Sequence, residues 1–194
     1  MKNWYPGTEG GNAIANLLFG DANPGGHLTV TWPRNVGQVP TYYAQNLTQI
    51  PEDTTTRYWD GSSAPLYPFG YGLSYSTFKL DNLKSDGVSM RFTGSMNVSI
   101  DVQNTSAVPG DEVVQLYTHQ QSGTASRPRR ELKGFTRIHL AAGEKRTVII
   151  PLHAADLAFW SPATHASAVE PGTFDLWVGD NSNATAHSTF TVIR

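Results

Sequence analysis

Carboxylates are the side chains of this sequence with the most scope for chemistry, and their spacing restricts what they could do. Asp111 and Glu112 are adjacent in a segment that reads as a strand, where neighbours point to opposite faces. Glu52 and Asp53 follow Pro51 in a polar stretch, where solvent would keep a carboxyl group near its ordinary acidity. Glu9 stands in the glycine-rich opening of a predicted helix, a place where a carboxylate meets the positive end of the helix dipole and plays a structural part. An acid and a base, or an acid and a nucleophile, must converge on one bond, and none of these pairs is placed to do so. No catalytic residue is assigned.

Other constellations are weaker still. The run GTEGG lacks the Gly-Lys-Ser/Thr ending and the preceding strand of a phosphate-binding loop. Its glycines read as close packing of a helix against neighbouring backbone. Six histidines are scattered without metal-ligand spacing, and cysteine is absent, so no metal and no cofactor is expected. Arg127, Arg129, Arg130 and Lys133 surround Pro128 and read as a solvated loop with salt bridges to Glu131 or to a neighbouring domain. Fourteen basic residues against sixteen acidic give a net charge of −2, which supplies no field for nucleic acid or anionic lipid. No apolar run approaches the roughly 20 residues of a membrane span, and the first residues carry no signal-peptide h-region.

The elements that must position these residues fall into two regions. Within residues 1–33, Ala13, Ile14, Leu17 and Leu18 recur at helical spacing from Thr8 or Glu9, and Gly20 can end the helix. A turn, DANPGG, leads to a short strand over His27 to Trp32, stopped by Pro33. One helix and one strand cannot bury their own apolar stripe, so a partner is missing. Beyond residue 78 the pattern alternates with period two: 96–102, 113–117, 133–140, 147–150, 173–178 and 188–193 all read as strands separated by turns. Such a series is a β-sandwich. His153 to Trp160 reads as one helical turn capping it, with Trp32, Trp160 and Trp177 in the core. Four N-x-Ser/Thr sequons occur, at Asn46, Asn97, Asn104 and Asn183; Asn97 lies inside a predicted strand.

Between the regions runs PLYPFGYGLSYSTF. Prolines and interleaved glycines exclude a regular helix, and Tyr67, Phe69, Tyr71 and Tyr75 are too many rings to leave in water. They are expected to pack between two bodies, as interdomain contacts rather than as chemistry.

Four strings carry a family resemblance. WYPGTEGGNAIANLLFGDANPGGHLTVTWP resembles the end of the α/β-sandwich domain of family 3 glycoside hydrolases, and YPFGYGLSYSTF is similar to that family's linker. PGDEVVQLYTH and RPRRELKGFTRIHLAAGEKRTVIIPL are similar to the fibronectin type III-like domain that ends many of its β-glucosidases and β-xylosidases. The resemblance implies a mainly β fold, a fibronectin III-like (immunoglobulin-like) sandwich preceded by a remnant of an α/β-sandwich domain. Its parts would be residues 1–40 (end of the α/β domain), 41–77 (loop and aromatic linker) and 78–194 (the sandwich). It also implies a parent that hydrolyses terminal β-linked glycosyl residues with retention, secreted or periplasmic. The family's nucleophile lies on an N-terminal β/α barrel and its acid/base glutamate upstream of the WYPGTEGG helix, and neither region is in this chain.

The expected partners are therefore upstream catalytic domains, of the same or a companion chain, and a β-linked oligosaccharide only indirectly. Aromatic side chains can stack on sugar rings, which draws attention to Tyr42, Tyr43, Arg57, Tyr58 and Trp59. Among these, Arg57, Tyr58 and Trp59 are the substrate-binding candidates, on the family's habit of running such a loop beside the active-site mouth. The rival reading is a free-standing sandwich module that binds a polysaccharide or a protein.

Overall fold

The structure is a computed structural model that describes residues 2–46 and 62–194. Arg57, Tyr58, Trp59, Glu52 and Asp53 lie outside the described residues.

Helix α1 spans Gly10–Phe19. Gly20 closes it in the left-handed region at φ 88°, its N–H donating to the Asn16 carbonyl at 3.1 Å, as glycine at this position allows. Glu9 is the N-cap residue but makes no capping bond; its carboxylate accepts from Asn12 Nδ2 at 2.7 Å instead. The helical stripe remains largely uncovered, with Leu18 61% and Phe19 84% exposed.

The segment after the helix differs from the expected strand. His27–Trp32 forms two isolated bridges, His27 to Gly72 and Trp32 to Tyr67. The backbone of Leu28 exchanges bonds with Tyr71 and Gly70, both at 2.8 Å, and that of Trp32 with Tyr67 and Leu66, also at 2.8 Å. Its partner is the Pro-Gly-aromatic run itself. Pro68 has no N–H and Gly70 turns at φ 81°, so a continuous ladder cannot form.

Ten strands follow: β1 (Phe78–Ser85), β2 (Ser89–Arg91), β3 (Ser95–Asn104), β4 (Gly110–Gln120), β5 (Glu131–Leu140), β6 (Lys145–His153), β7 (Phe159–Ser161), β8 (Ala166–Ala168), β9 (Gly172–Gly179) and β10 (Ala186–Ile193). One sheet has the order β1-β3-β6, the other β2-β10-β9-β4-β5, and β7 and β8 form a separate hairpin. Only β2 runs parallel to its neighbour. The two faces meet over Val98, Ile100, Val102, Val148, Ile150 and Leu152 on one side and Val114, Leu116, Leu176, Val178 and Val192 on the other, all buried. Phe174 and Phe190 stack at 5.2 Å within this core. The alternation read in β3 is the alternation of burial observed, because the strand has one face on the core and one in solvent. β6 alternates in burial although its sequence carries three apolar residues in a row, Ile149 pointing outward.

Two expectations need correction here. Trp160 is 65% exposed: a short 3-10 turn covers only Ala154–Leu157, and the chain then re-enters β7, so the ring's spacing from Leu157 is not helical. The basic residues around Pro128 are not a solvated loop. The Arg127 guanidinium lies 3.2 Å from the Phe159 ring centroid and that of Arg130 lies 4.4 Å from that of Trp177, because the planar guanidinium packs on aromatic faces. Lys133 does pair with Glu131, at 3.5 Å. Of the sequons, Asn104 is fully buried, its Nδ2 donating to the carbonyls of Val108 at 2.8 Å and Leu140 at 3.3 Å, which leaves no room for a glycan.

Candidate functional site at the junction

β4 breaks the alternation rule, and the break marks where the N-terminal segment sits. Val114 and Leu116 face the core, so Gln115 and Tyr117 must face outward; yet they are 3% and 0% exposed. What covers them is the linker and the segment before it.

Gly70 is the centre of that cover. Its carbonyl accepts from Gln115 Nε2 at 3.2 Å and from His27 Nδ1. Gln115 Nε2 also donates to the Asp180 carbonyl at 2.5 Å, and its Oε1 accepts from the Tyr117 hydroxyl at 2.5 Å. A Cβ on Gly70 would stand 2.1 Å from Gln115 Oε1, so only glycine fits both the approach and the positive φ. Burial, with Tyr43 and Asp180 adding, raises the pKa of the Tyr117 hydroxyl well above its ordinary value. It is a fixed neutral donor.

Around this network the rings pack. Phe69 stacks on Tyr43 at 4.3 Å, and Tyr43 meets Tyr117 edge-on at 5.9 Å. The Phe69 carbonyl accepts from the Ser182 N–H at 2.8 Å, and Arg130 Nη1 donates to the Ser182 carbonyl at 2.5 Å. Arg130 is thereby tied to the same loop as Gln115. Tyr67 and Tyr71 stack on each other at 4.9 Å, with Tyr67 38% exposed. Tyr75 is 49% exposed, but its hydroxyl donates to the Leu17 carbonyl of α1 at 2.6 Å.

A second fastening lies at Asn23. Its Nδ2 donates to Ser76 Oγ at 2.8 Å and to the Pro109 carbonyl at 2.9 Å, while its Oδ1 accepts from Ser74 Oγ at 2.8 Å and the Tyr75 N–H at 2.9 Å. All four bonding positions of one amide are used, joining the turn after α1, the linker and the turn before β4. Neither Asn23 nor Gln115 was singled out in the sequence. The only available sign was a polar amide, Gln115, set among the apolar residues of a strand.

The two adjacent carboxylates have separate fates. Asp111 accepts from Arg137 Nε at 3.0 Å and pairs with His139 at 2.7 Å, and these bonds hold its carboxyl below the ordinary value. Glu112 is buried, with Oε1 3.8 Å from His27 Nε2. Burial raises its pKa, the positive charge of His27 opposes the rise and Asp180 adds to it. Glu112 Oε1 also accepts from the Val113 N–H at 2.9 Å. Among the described residues no three His, Asp or Glu side chains gather as a metal-binding group.

A polar, glycine-centred seam fastens the N-terminal segment to a β-sandwich, and this is the geometry of a structural junction. The sequence matches the glycosyl hydrolase family 3 C-terminal domain over residues 1–75 and the fibronectin type III-like domain over residues 112–182. Along all of its length it is 40% identical to a periplasmic β-glucosidase of Salmonella typhimurium, and along 95% it is 43% identical to a β-xylosidase of Formosa agariphila, covering 26% and 25% of those proteins. The structure superposes on a β-glucosidase from Listeria innocua, solved with glucose, with a TM-score of 0.89 at 36% identity, over 97% of this chain and 27% of that one. The chain belongs to glycoside hydrolase family 3, as the C-terminal region of that family. It spans about a quarter of the length of the curated relatives it matches.

Proposed function

We propose that this chain is the non-catalytic C-terminal part of a β-glucosidase-like enzyme, holding the catalytic domains together and helping to shape the substrate entrance. The parent reaction would be hydrolysis of terminal β-linked glycosyl residues with retention, by two carboxyl groups about 5–5.5 Å apart supplied by upstream domains. The observation that carries this reading is the contrast within the N-terminal segment. Its inner side is bonded to the sandwich through Asn23, His27 and Gly70. Its outer side leaves Trp4, Leu18 and Phe19 more than half exposed. Apolar side chains held out on a fastened helix are suited to a further body.

In this reading residues 1–40 finish the α/β domain, 41–77 form the linker and 78–194 the sandwich. Tyr67, Phe69, Tyr71 and Tyr75 pack between bodies, and Arg57, Tyr58 and Trp59 face substrate at the entrance. The periplasmic relative supports an extracytoplasmic parent.

A chimera tests it. The part of the Salmonella β-glucosidase that precedes the matched region is fused to this chain and assayed with aryl β-glucosides and β-xylosides, beside this chain alone. Hydrolysis by the chimera with retained anomeric configuration, and none by the chain alone, is expected. Turnover by the isolated chain that disappears in Glu9→Gln or Glu52→Gln would overturn the reading, as would a folded chimera that is inactive.

A further inference from the structure

β9 pairs with β4 only from Gln115 onward, so at Glu112 the strand has β5 alone beside it. The N-terminal segment closes over this stretch. Gly25 packs on β4, where a Cβ would stand 2.9 Å from that of Asp111. Two residues on, the His27 ring lies against Gly72, whose own Cβ would stand 3.0 Å from the ring's Cδ2 and Nε2. His27 and Glu112 thus face each other across the contact between segment and sandwich. Nε2 is 3.8 Å from Oε1, and the two side chains are 15% and 9% exposed.

Glu112 is poorly provided for as an anion. The Val113 N–H is its one hydrogen-bond donor among the described residues, and a buried carboxylate needs a counter-charge as well. The other charged groups around it do not supply one. Arg137 Nε is bonded to Asp111 at 3.0 Å, and His139 bonds the same carboxylate at 2.7 Å. Arg130 is bonded to the Ser182 carbonyl. Asp180, just past β9, is itself negative and disfavours a second anion. Gln115 and Tyr117 are uncharged. His27 is left as the counter-charge, and imidazole is the side chain that gives up its charge within the physiological range. Its Nδ1 is tied to the Gly70 carbonyl, so the ring cannot leave Glu112 without disturbing the linker.

We propose that the His27–Glu112 pair makes the seating of the N-terminal segment on the sandwich pH-dependent: the segment stays seated while the pair holds a proton, and is released as the pair gives it up toward alkaline pH. Release lets water reach the Glu112 carboxylate, which the seated state denies it. Burial raises the carboxyl above its ordinary 4.5, so the seated state holds the pair's proton more tightly than the released one. Its advantage is complete below about pH 4.5 and declines as pH rises through the raised value. This device works on the chain itself, independently of any reaction carried out by a parent enzyme.

The Ser182 N–H donates to the Phe69 carbonyl across the seam at 2.8 Å, so its hydrogen exchange reports seating of the linker. Exchange is followed by NMR on the ¹⁵N-labelled full chain from pH 5 to pH 8, each rate divided by the intrinsic rate at that pH. The Ser182 opening ratio is expected to rise by about tenfold or more over this range, and by no more than about tenfold per pH unit, the limit for one proton. Amides of the β3–β6 ladder should show no such rise. Glu112→Gln should abolish the Ser182 rise, while His139→Gln, which removes the other imidazole of this region, should leave it. Glu112→Met takes the place of Glu112→Gln if that variant does not fold, retained β3–β6 protection being the criterion. A flat Ser182 profile in the native chain overturns the proposal. So do a rise that persists in a folded Glu112 variant, a rise lost in folded His139→Gln, and β3–β6 amides that open in step with Ser182.

Discussion

The Tyr117 hydroxyl donates to Gln115 Oε1 at 2.5 Å, and this contact between alternate residues of β4 sets the Gln115 amide so that Nε2 faces the carbonyls of Gly70 and Asp180. Two outward-facing residues of a strand thereby become an interior. The N-terminal segment is bonded to the sandwich through this polar group.

The tightest part of that arrangement is Gly70. In Gly70→Ala, the added Cβ meets Gln115 Oε1 and the φ of 81° is retained, at about 1–2 kcal/mol for the left-handed conformation alone. Displacing Gln115 strands buried donors as well, so a total loss of about 2–4 kcal/mol is expected. Urea denaturation measures it. A loss below about 0.5 kcal/mol, the scale of an inert surface change, would show that the linker does not rest on Gln115.

The ring stack is testable separately. Phe69 is half-buried, so Phe69→Ala should cost about 2 kcal/mol, below the roughly 3–5 kcal/mol of a fully buried ring. A double-mutant cycle with Tyr43→Ala should return a coupling of about 0.5–1.5 kcal/mol for the stacked pair. Strict additivity would contradict direct contact. Lost glycan retention with unchanged midpoints would instead make these rings a sugar-binding platform.

Glu112 gives the pH dependence its sign. Burial raises its folded pKa above the ordinary 4.5, so the folded state holds this proton more tightly than the unfolded chain does. The stabilising contribution is fully present below about pH 4.5, and is lost as pH rises through the raised folded value. Asp111 and Asp101 act oppositely, because their partners depress them: their contribution is present above the ordinary value of 3.8 and lost as pH falls. Glu112→Gln removes only the first effect. The variant should therefore gain stability relative to wild type between pH 5 and pH 8, with the difference vanishing near pH 4. Denaturation midpoints across that range check it, and a variant uniformly weaker than wild type would refute the assignment.

The sequence by itself determined the sandwich and its ancestry. Strict alternation in β3 follows from one buried and one wet face, which is a local property of the strand. The helix end at Gly20 was legible for the same reason, since one residue's backbone freedom decides it. β1 was not legible, because a bulge between Asp81 and Lys84, with Asn82 at φ 55°, breaks its period. Trp160 and the Pro128 arginines were misread because burial of a large side chain depends on which distant surface reaches it. Tertiary structure alone decided the junction. Gln115 and Tyr117 look like ordinary outward residues until the chain before and within the linker folds across them. Asn23 acquires its four bonds only from groups more than fifty residues away. Hydrogen bonds between such remote groups leave no periodic trace, since nothing in the spacing of either partner has to change for the bond to exist.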